Sequence, residues 1–145
     1  MPKRWLVALA GLAPLLSFLA AATATAAVAA PACGWREPPR TYPEGVQWTC
    51  AATGWTDGDT FTARCDGGAG TVAVRLRGVD TEEHGEGRWL EAREELRRRT
   101  AGRPLDVLPH HRSHRRVVAD MLAGGANVGT AMDAAGWSKA DCPKR

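Results

Sequence analysis

The chain has 145 residues, 44% of them hydrophobic and 24% charged, with a formal net charge of +3. That length holds one small domain with one modest core and excludes two. The charge is too small to call for a nucleic-acid partner by itself, so any such partner has to be argued from local clusters.

Lys3 and Arg4 open the chain, an apolar run follows from Trp5 through Leu19, and alanines close it, with no acidic residue before Glu37. A basic start, an apolar middle and a small-residue exit predict a signal peptide over residues 1–30. Ala24, Ala26 and Ala30 are alternative cut sites. The apolar part is only marginally long enough to span a bilayer and has no basic stop signal, so no stable membrane anchor is expected. Without Lys3 and Arg4 the net charge falls to about +1 (3 − 2). The expected product is secreted or periplasmic and monomeric.

Residues 31–45 carry Pro31, Pro38, Pro39 and Pro43 and read as an extended arm, leaving residues 46–145 for the domain. Val46, Trp48 and Cys50 alternate with polar neighbours, which predicts a strand. Thr53–Gly58 reads as a hairpin turn, and Phe61, Ala63 and Cys65 as the second strand. Asp66–Gly70 is a second turn. Val72, Val74 and Leu76 then face one way, with Arg75 and Arg77 on the other side and a bend at Gly78. Residues 88–101 predict a helix with Trp89, Ala92, Leu96 and Thr100 on one face and Glu94–Arg98 and Glu95–Arg99 pairs, stopped by Gly102 and Pro104. Leu105 and Val107 begin a short strand, Pro109–Arg115 reads as a basic loop, and Val117–Leu122 as a strand ended by Gly124 and Gly125. A short helix over about 128–135 closes the pattern. Three strands, a helix, two strands and a helix predict a mainly β fold, a five-stranded antiparallel OB-fold barrel with a helix between strands three and four and a short C-terminal helix. Such a barrel does not decide function.

All four cysteines lie beyond the signal, which in a small exported domain predicts two disulfides. Three pairings are open. Cys50 and Cys65 flank the Asp57-Gly58 turn almost symmetrically, so Cys50–Cys65 with Cys33–Cys142 is the expected pairing. No Cys-x2-Cys pair suggests zinc. His110, His111 and His114 also raise zinc, but no cysteine or carboxylate near them in sequence completes a ligand set.

Two acidic clusters remain, Asp57-Gly58-Asp59-Thr60 and Asp80-Thr81-Glu82-Glu83. The meander brings them to neighbouring strand ends, where converging oxygens suit a hard cation. Arg75 and one of Arg112, Arg115 or Arg116 lie within reach, and guanidinium groups bind phosphate oxygens in pairs. A metal, a carboxylate and two arginines are the components of a phosphodiester hydrolase.

The segments Asp57-Gly58-Asp59-Thr60-Phe61 and Val74-Arg75-Leu76-Arg77-Gly78-Val79-Asp80-Thr81-Glu82-Glu83 resemble the thermonuclease family of staphylococcal-nuclease-like enzymes, calcium-dependent nucleases built on an OB-fold. The resemblance covers about residues 46–138. It implies that Asp59, Asp80 and the Thr81 carbonyl hold Ca2+, that Asp57 supports them, and that Glu83 is the general base. Arg75 and Arg116 then clamp the phosphate, with Arg115 in reserve. DNA, RNA or both are the implied substrates. Removing Arg75, Arg116 or Glu83 is expected to lower turnover and leave folding largely intact. The chain departs from the family where Glu82 replaces proline, which adds a charge beside the metal, and where His114-Arg115 replaces Tyr-Gly. The alternative is a barrel of weak or no activity that binds nucleic acid or a partner.

Overall fold

The computed structural model describes residues 37–139. The residues of the expected signal peptide and the expected Cys33–Cys142 bridge lie outside them. Residues 37–47 form no helix or strand. Five strands follow the sequence pattern closely: β1 Trp48–Trp55, β2 Thr60–Cys65, β3 Gly70–Leu76, β4 Leu105–Ser113 and β5 Arg116–Ala123. The two-residue β6, Ala126–Asn127, hangs on the end of β5. Helix α1, Trp89–Thr100, lies between β3 and β4, and α2, Val128–Ala134, follows β6.

The strands run in the order β3-β2-β1-β4-β5, and β3 pairs with β5 to close the barrel. Four of the neighbouring pairs are antiparallel and the closing pair is parallel. A closed ring of five strands cannot alternate direction all the way round, so one parallel pair is required. The expected OB-fold barrel is therefore present in mixed form.

Alternation fills the interior. Phe61 and Ala63 of β2, Val74 and Leu76 of β3, Leu105 and Val107 of β4 and Met121 of β5 are buried together. Leu96 of α1 and Met132 of α2 belong to the same core. On α1 the buried face is Ala92, Leu96 and Thr100, where Thr100 takes the indole N–H of Trp55 at 2.9 Å. Arg97, Arg98 and Arg99 sit in the last turn, where positive charge opposes the helix dipole. Glu95 pairs with both Arg98 and Arg99, as the spacing of Arg99 predicts. Glu94 pairs with Arg93 and Arg97 rather than with Arg98, which Glu95 has taken. Asn127 caps α2 by accepting the Thr130 N–H at 3.0 Å.

Two boundaries differ from the sequence expectation. β1 runs on to Trp55 through a bulge between Ala52 and Gly54, so the turn begins at Thr56. The stretch Pro109–Arg115 is not a loop: β4 continues through Ser113, and only His114 and Arg115 make the reversal. β1 pairs with β4 only over Leu105–Val107, so Pro109 has no ladder donor to lose on that edge. The arm covers the edge instead. The N–H groups of Thr41 and Tyr42 donate to the His110 carbonyl, and Arg40 donates to the Pro109 carbonyl. Among the described residues no helix is long and apolar enough to cross a membrane.

Cys50 and Cys65 are register partners on β1 and β2 and form a disulfide. The bridge closes a loop with a sequence separation of 15, which stabilises by limiting the unfolded chain. A Cys50→Ala/Cys65→Ala variant is expected to lose about 3 kcal/mol. Equilibrium denaturation of the two oxidised proteins measures this, and equal midpoints would refute it.

Candidate functional site

The turn between β1 and β2 is built around its own aspartates. Asp57 accepts the Asp59 N–H at 3.1 Å, which fixes the turn and aims the Asp59 side chain across the barrel rim. Gly58 sits at its tip because nothing larger fits. A Cβ there would lie 2.6 Å from the Ala92 Cβ on α1 and 2.9 Å from the Thr81 side chain. The turn, the loop after β3 and the helix thus meet at one glycine. The Asp59 carboxylate is buried and fully engaged. Its Oδ1 accepts the Thr60 hydroxyl at 2.9 Å and the Arg75 Nη1–H at 2.9 Å, and its Oδ2 accepts the Thr81 N–H at 2.9 Å.

Arg75 stands on β3 directly opposite Thr60 of β2 and Val118 of β5. Its second nitrogen, Nη2, donates to Asp80 Oδ1 at 2.8 Å, so one guanidinium bridges the two acidic clusters that the sequence separates. The Asp80 backbone is pinned from the C-terminal side. Its N–H donates to Ser138 Oγ at 3.2 Å and its carbonyl accepts the Lys139 N–H at 2.7 Å. Arg116 begins β5 and reaches Thr60 Oγ1 with Nη1 at 3.4 Å. Glu83 lies exposed on the loop between β3 and α1. The Thr81 hydroxyl is buried with no hydrogen-bond partner among the described residues.

Negative charge dominates this corner. Burial, then the nearby charge of Asp59, and more weakly that of Glu83, push the Asp57 pKa up to about 6. Burial works against the charge on Arg75, but Asp59 and Asp80 outweigh it and hold its pKa above the usual arginine range.

The structure therefore brings Asp57, Asp59, Arg75, Asp80 and Thr81 into one hydrogen-bonded group, with Arg116 joined through Thr60. Arg115, the reserve choice, is exposed at the hairpin turn, and Arg112 lies over the Tyr42 ring at 5.8 Å. Glu82 turns towards the helix start. Its carboxylate accepts the Arg88 N–H at the start of α1. His114 holds a positive φ of 56° at the turn. Trp137 lies next to the Asp80 anchor with the Arg88 guanidinium 4.2 Å from its ring centre.

Ser138 and Lys139 carry no motif, and sequence reading missed them because their contacts involve the Asp80 backbone. It also missed a second cluster. Arg77 forms ion pairs with Glu37 of the arm and with Asp120 of β5. Beside Glu37 lie the buried rings of His110 and His111, whose Nδ1 atoms are 2.9 Å apart. Glu37, His110 and His111 are the one trio of potential metal-binding side chains among the described residues whose ligand atoms all fall within 4.8 Å of one another. The carboxylate that the histidines lack in sequence is thus supplied in space by Glu37. Its pKa is lowered, first by the Arg77 hydrogen bonds, while burial and then His110 lower that of His111. Asp57, Asp59 and Asp80 form no such trio: Arg75 is bonded to both Asp59 and Asp80. No protein-family model matches the chain, and a search of curated proteins finds no match either.

Two outcomes follow from this geometry. Gly58→Ala is expected to cost about 1–3 kcal/mol through overpacking, and Ala92→Gly in the same chain to recover part of it. Thermal unfolding of the single and double variants checks both. The folded pKa of Asp57, about 6, lies above its ordinary value of 3.8. The stability this group contributes is therefore present below pH 3.8 and lost as pH rises through about 6. In buffer free of divalent cations, Asp57→Asn should melt higher than the parent above pH 7, with the gap closing towards pH 4. A constant gap across that range would refute the assignment.

Proposed function

We propose that the chain is an exported calcium-dependent nuclease that hydrolyses phosphodiester bonds of DNA, RNA or both. The observation that carries this reading is the bridge from Arg75 to Asp59 and Asp80. It joins the two motifs on which the thermonuclease resemblance rests, at the barrel rim, with Arg116 reaching the same turn.

The donor set fits a calcium ion. It is made of hard oxygens: the carboxylates of Asp59 and Asp80, supported by Asp57, with the Thr81 carbonyl. Four carboxylates, Asp57, Asp59, Asp80 and Glu83, stand against the two guanidinium groups of Arg75 and Arg116, and burial first, then the charges of Asp59 and Glu83, raise the Asp57 pKa. The buried Thr81 hydroxyl, which has no partner among the described residues, leaves polar capacity unfilled beside these carboxylates. A bound calcium would act as a Lewis acid toward a phosphate oxygen.

The residues of the chain supply the rest. Glu83, exposed at the rim, accepts a proton from the attacking water as its oxygen bonds to phosphorus. The opposite P–O ester bond breaks, and the departing oxygen takes a proton from solvent. Arg75 and Arg116 attract the phosphate oxygens most strongly when they gain charge in the transition state. Arg75 also neutralises buried Asp59, so its loss is expected to disturb folding as well as turnover, unlike loss of Glu83 or Arg116. A signal peptide over residues 1–30 would deliver this chain to a secreted or periplasmic location, where calcium is more available than in a cytosol.

Labelled DNA and RNA oligonucleotides, incubated with calcium or with a calcium chelator, test the reading. Cleavage with calcium and none with chelator is expected. Glu83→Gln and Arg116→Ala should each lower turnover by about 10²–10³-fold at unchanged melting temperature, and Arg115→Ala should stay near the parent. Folded protein that binds the oligonucleotides without cutting them would replace this reading with that of a nucleic-acid-binding barrel. Folded protein that does neither would overturn both.

A further inference from the structure

We propose that Glu37, His110 and His111 form a second metal site, selective for a zinc-class divalent ion and separate from the acidic group at Arg75. Consecutive residues of a regular strand point to opposite faces. Here the pairing of β4 with β5 slips between Pro109 and His111, so His110 is the extra residue of a bulge. A bulge re-aims a side chain, and the two imidazoles lie against each other. Their rings stand at 83° to each other, centres 5.2 Å apart, and their Nδ1 atoms meet at 2.9 Å. Both histidines are buried, at 9% and 4% exposure.

The arm completes the set. Its fastening to the His110 carbonyl through the Thr41 and Tyr42 N–H groups brings Glu37 alongside, with Oε2 3.8 Å from His110 Nε2. One ligand atom from each residue falls within the 4.8 Å span of the trio, the separation that ligands of one ion have across a coordination shell. Arg77 donates to both Glu37 oxygens, through Nε and Nη2, and to Asp120 through Nη1; each Glu37 oxygen keeps a further lone pair for a cation, and the three groups carry a net charge of −1 (−1 − 1 + 1). Imidazole nitrogens select zinc, copper or nickel over calcium and magnesium. Two of them with one carboxylate make a three-ligand set that leaves one position of a tetrahedral ion to solvent. The bound ion would tie the arm to the barrel.

The test is calorimetric titration of zinc chloride into the full chain stripped of metal, at neutral pH, with calcium titrated in parallel. One equivalent of zinc is expected to bind and to raise the melting temperature. His111→Gln and Glu37→Gln should each weaken zinc about 10–100-fold. Asp59→Asn/Asp80→Asn should leave zinc affinity unchanged, which separates this site from the proposed calcium site whatever the nuclease assays give. Thermal unfolding without metal shows whether each variant folds; if His111→Gln fails, Glu37→Gln decides alone. Absence of zinc binding, equal affinity in Glu37→Gln, or loss of zinc in folded Asp59→Asn/Asp80→Asn would overturn the proposal and leave a buried histidine pair that only hydrogen-bonds.

Discussion

Asp59 is 1% exposed, and a carboxylate removed from water costs several kcal/mol unless charge and hydrogen bonds replace its hydration. Three donors do so: the Thr60 hydroxyl, the Thr81 N–H and Arg75, whose single guanidinium also serves Asp80; Arg116 in turn donates to Thr60. The rest of the corner depends on that arrangement. The loop after β3 must return to the β1–β2 turn to offer the Thr81 N–H. Gly58 must lack a side chain to admit it, and α1 must present Ala92 where the two meet. Breaking a buried pair from one side leaves a charge that costs about 3–5 kcal/mol. Arg75 is thus a structural residue before it is anything else, which revises the expectation that it can be removed without harm to folding.

The parallel pairing of β3 with β5 turns this local network into a property of the barrel. It sets Arg75 opposite Val118 and Ala73 opposite Arg116, so the two arginines of the acidic corner come from strands joined only at closure. A barrel that failed to close would keep the Asp57–Thr60 turn, because β1 and β2 form a local hairpin clamped by Cys50–Cys65. It would lose the relation of Arg116 to Thr60. Stability and site geometry therefore depend on the same long-range event.

Much of this was legible in the chain. Phe61, Ala63, Val74 and Leu76 alternate cleanly because one face of each strand meets the core, and the same period put Arg75 and Arg77 on the other face. The helix face Ala92, Leu96 and Thr100 was equally open to reading. Arg116 could be preferred to Arg115 by motif, but only the strand register put one beside Thr60 and left the other at a turn. What the pattern concealed has a common physical cause. His110 and His111 read as part of a basic loop because histidine is amphipathic and a bulge breaks the period of two. Glu37 read as an arm residue because its partners, Arg77 and His110, are distant in sequence. Ser138 and Lys139 were silent because they hold the Asp80 backbone, and such contacts leave little trace in residue type.

The end of β3 and the turn after it place two arginines two residues apart, Arg75 and Arg77, and each gathers carboxylates from other elements. Arg75 collects Asp59 and Asp80 from the two rim loops, and Arg77 collects Glu37 and Asp120 from the arm and β5. The surroundings then diverge. The first group is lined by oxygen donors alone, the second adds two imidazole nitrogens, and donor hardness decides which cation each favours. The groups also differ in what they hold together. The first joins loops of the barrel itself, whereas the second joins the barrel to a segment with no helix or strand of its own. Cation binding at the second would therefore act on the arm, through Glu37, without a change in the donors around Asp59.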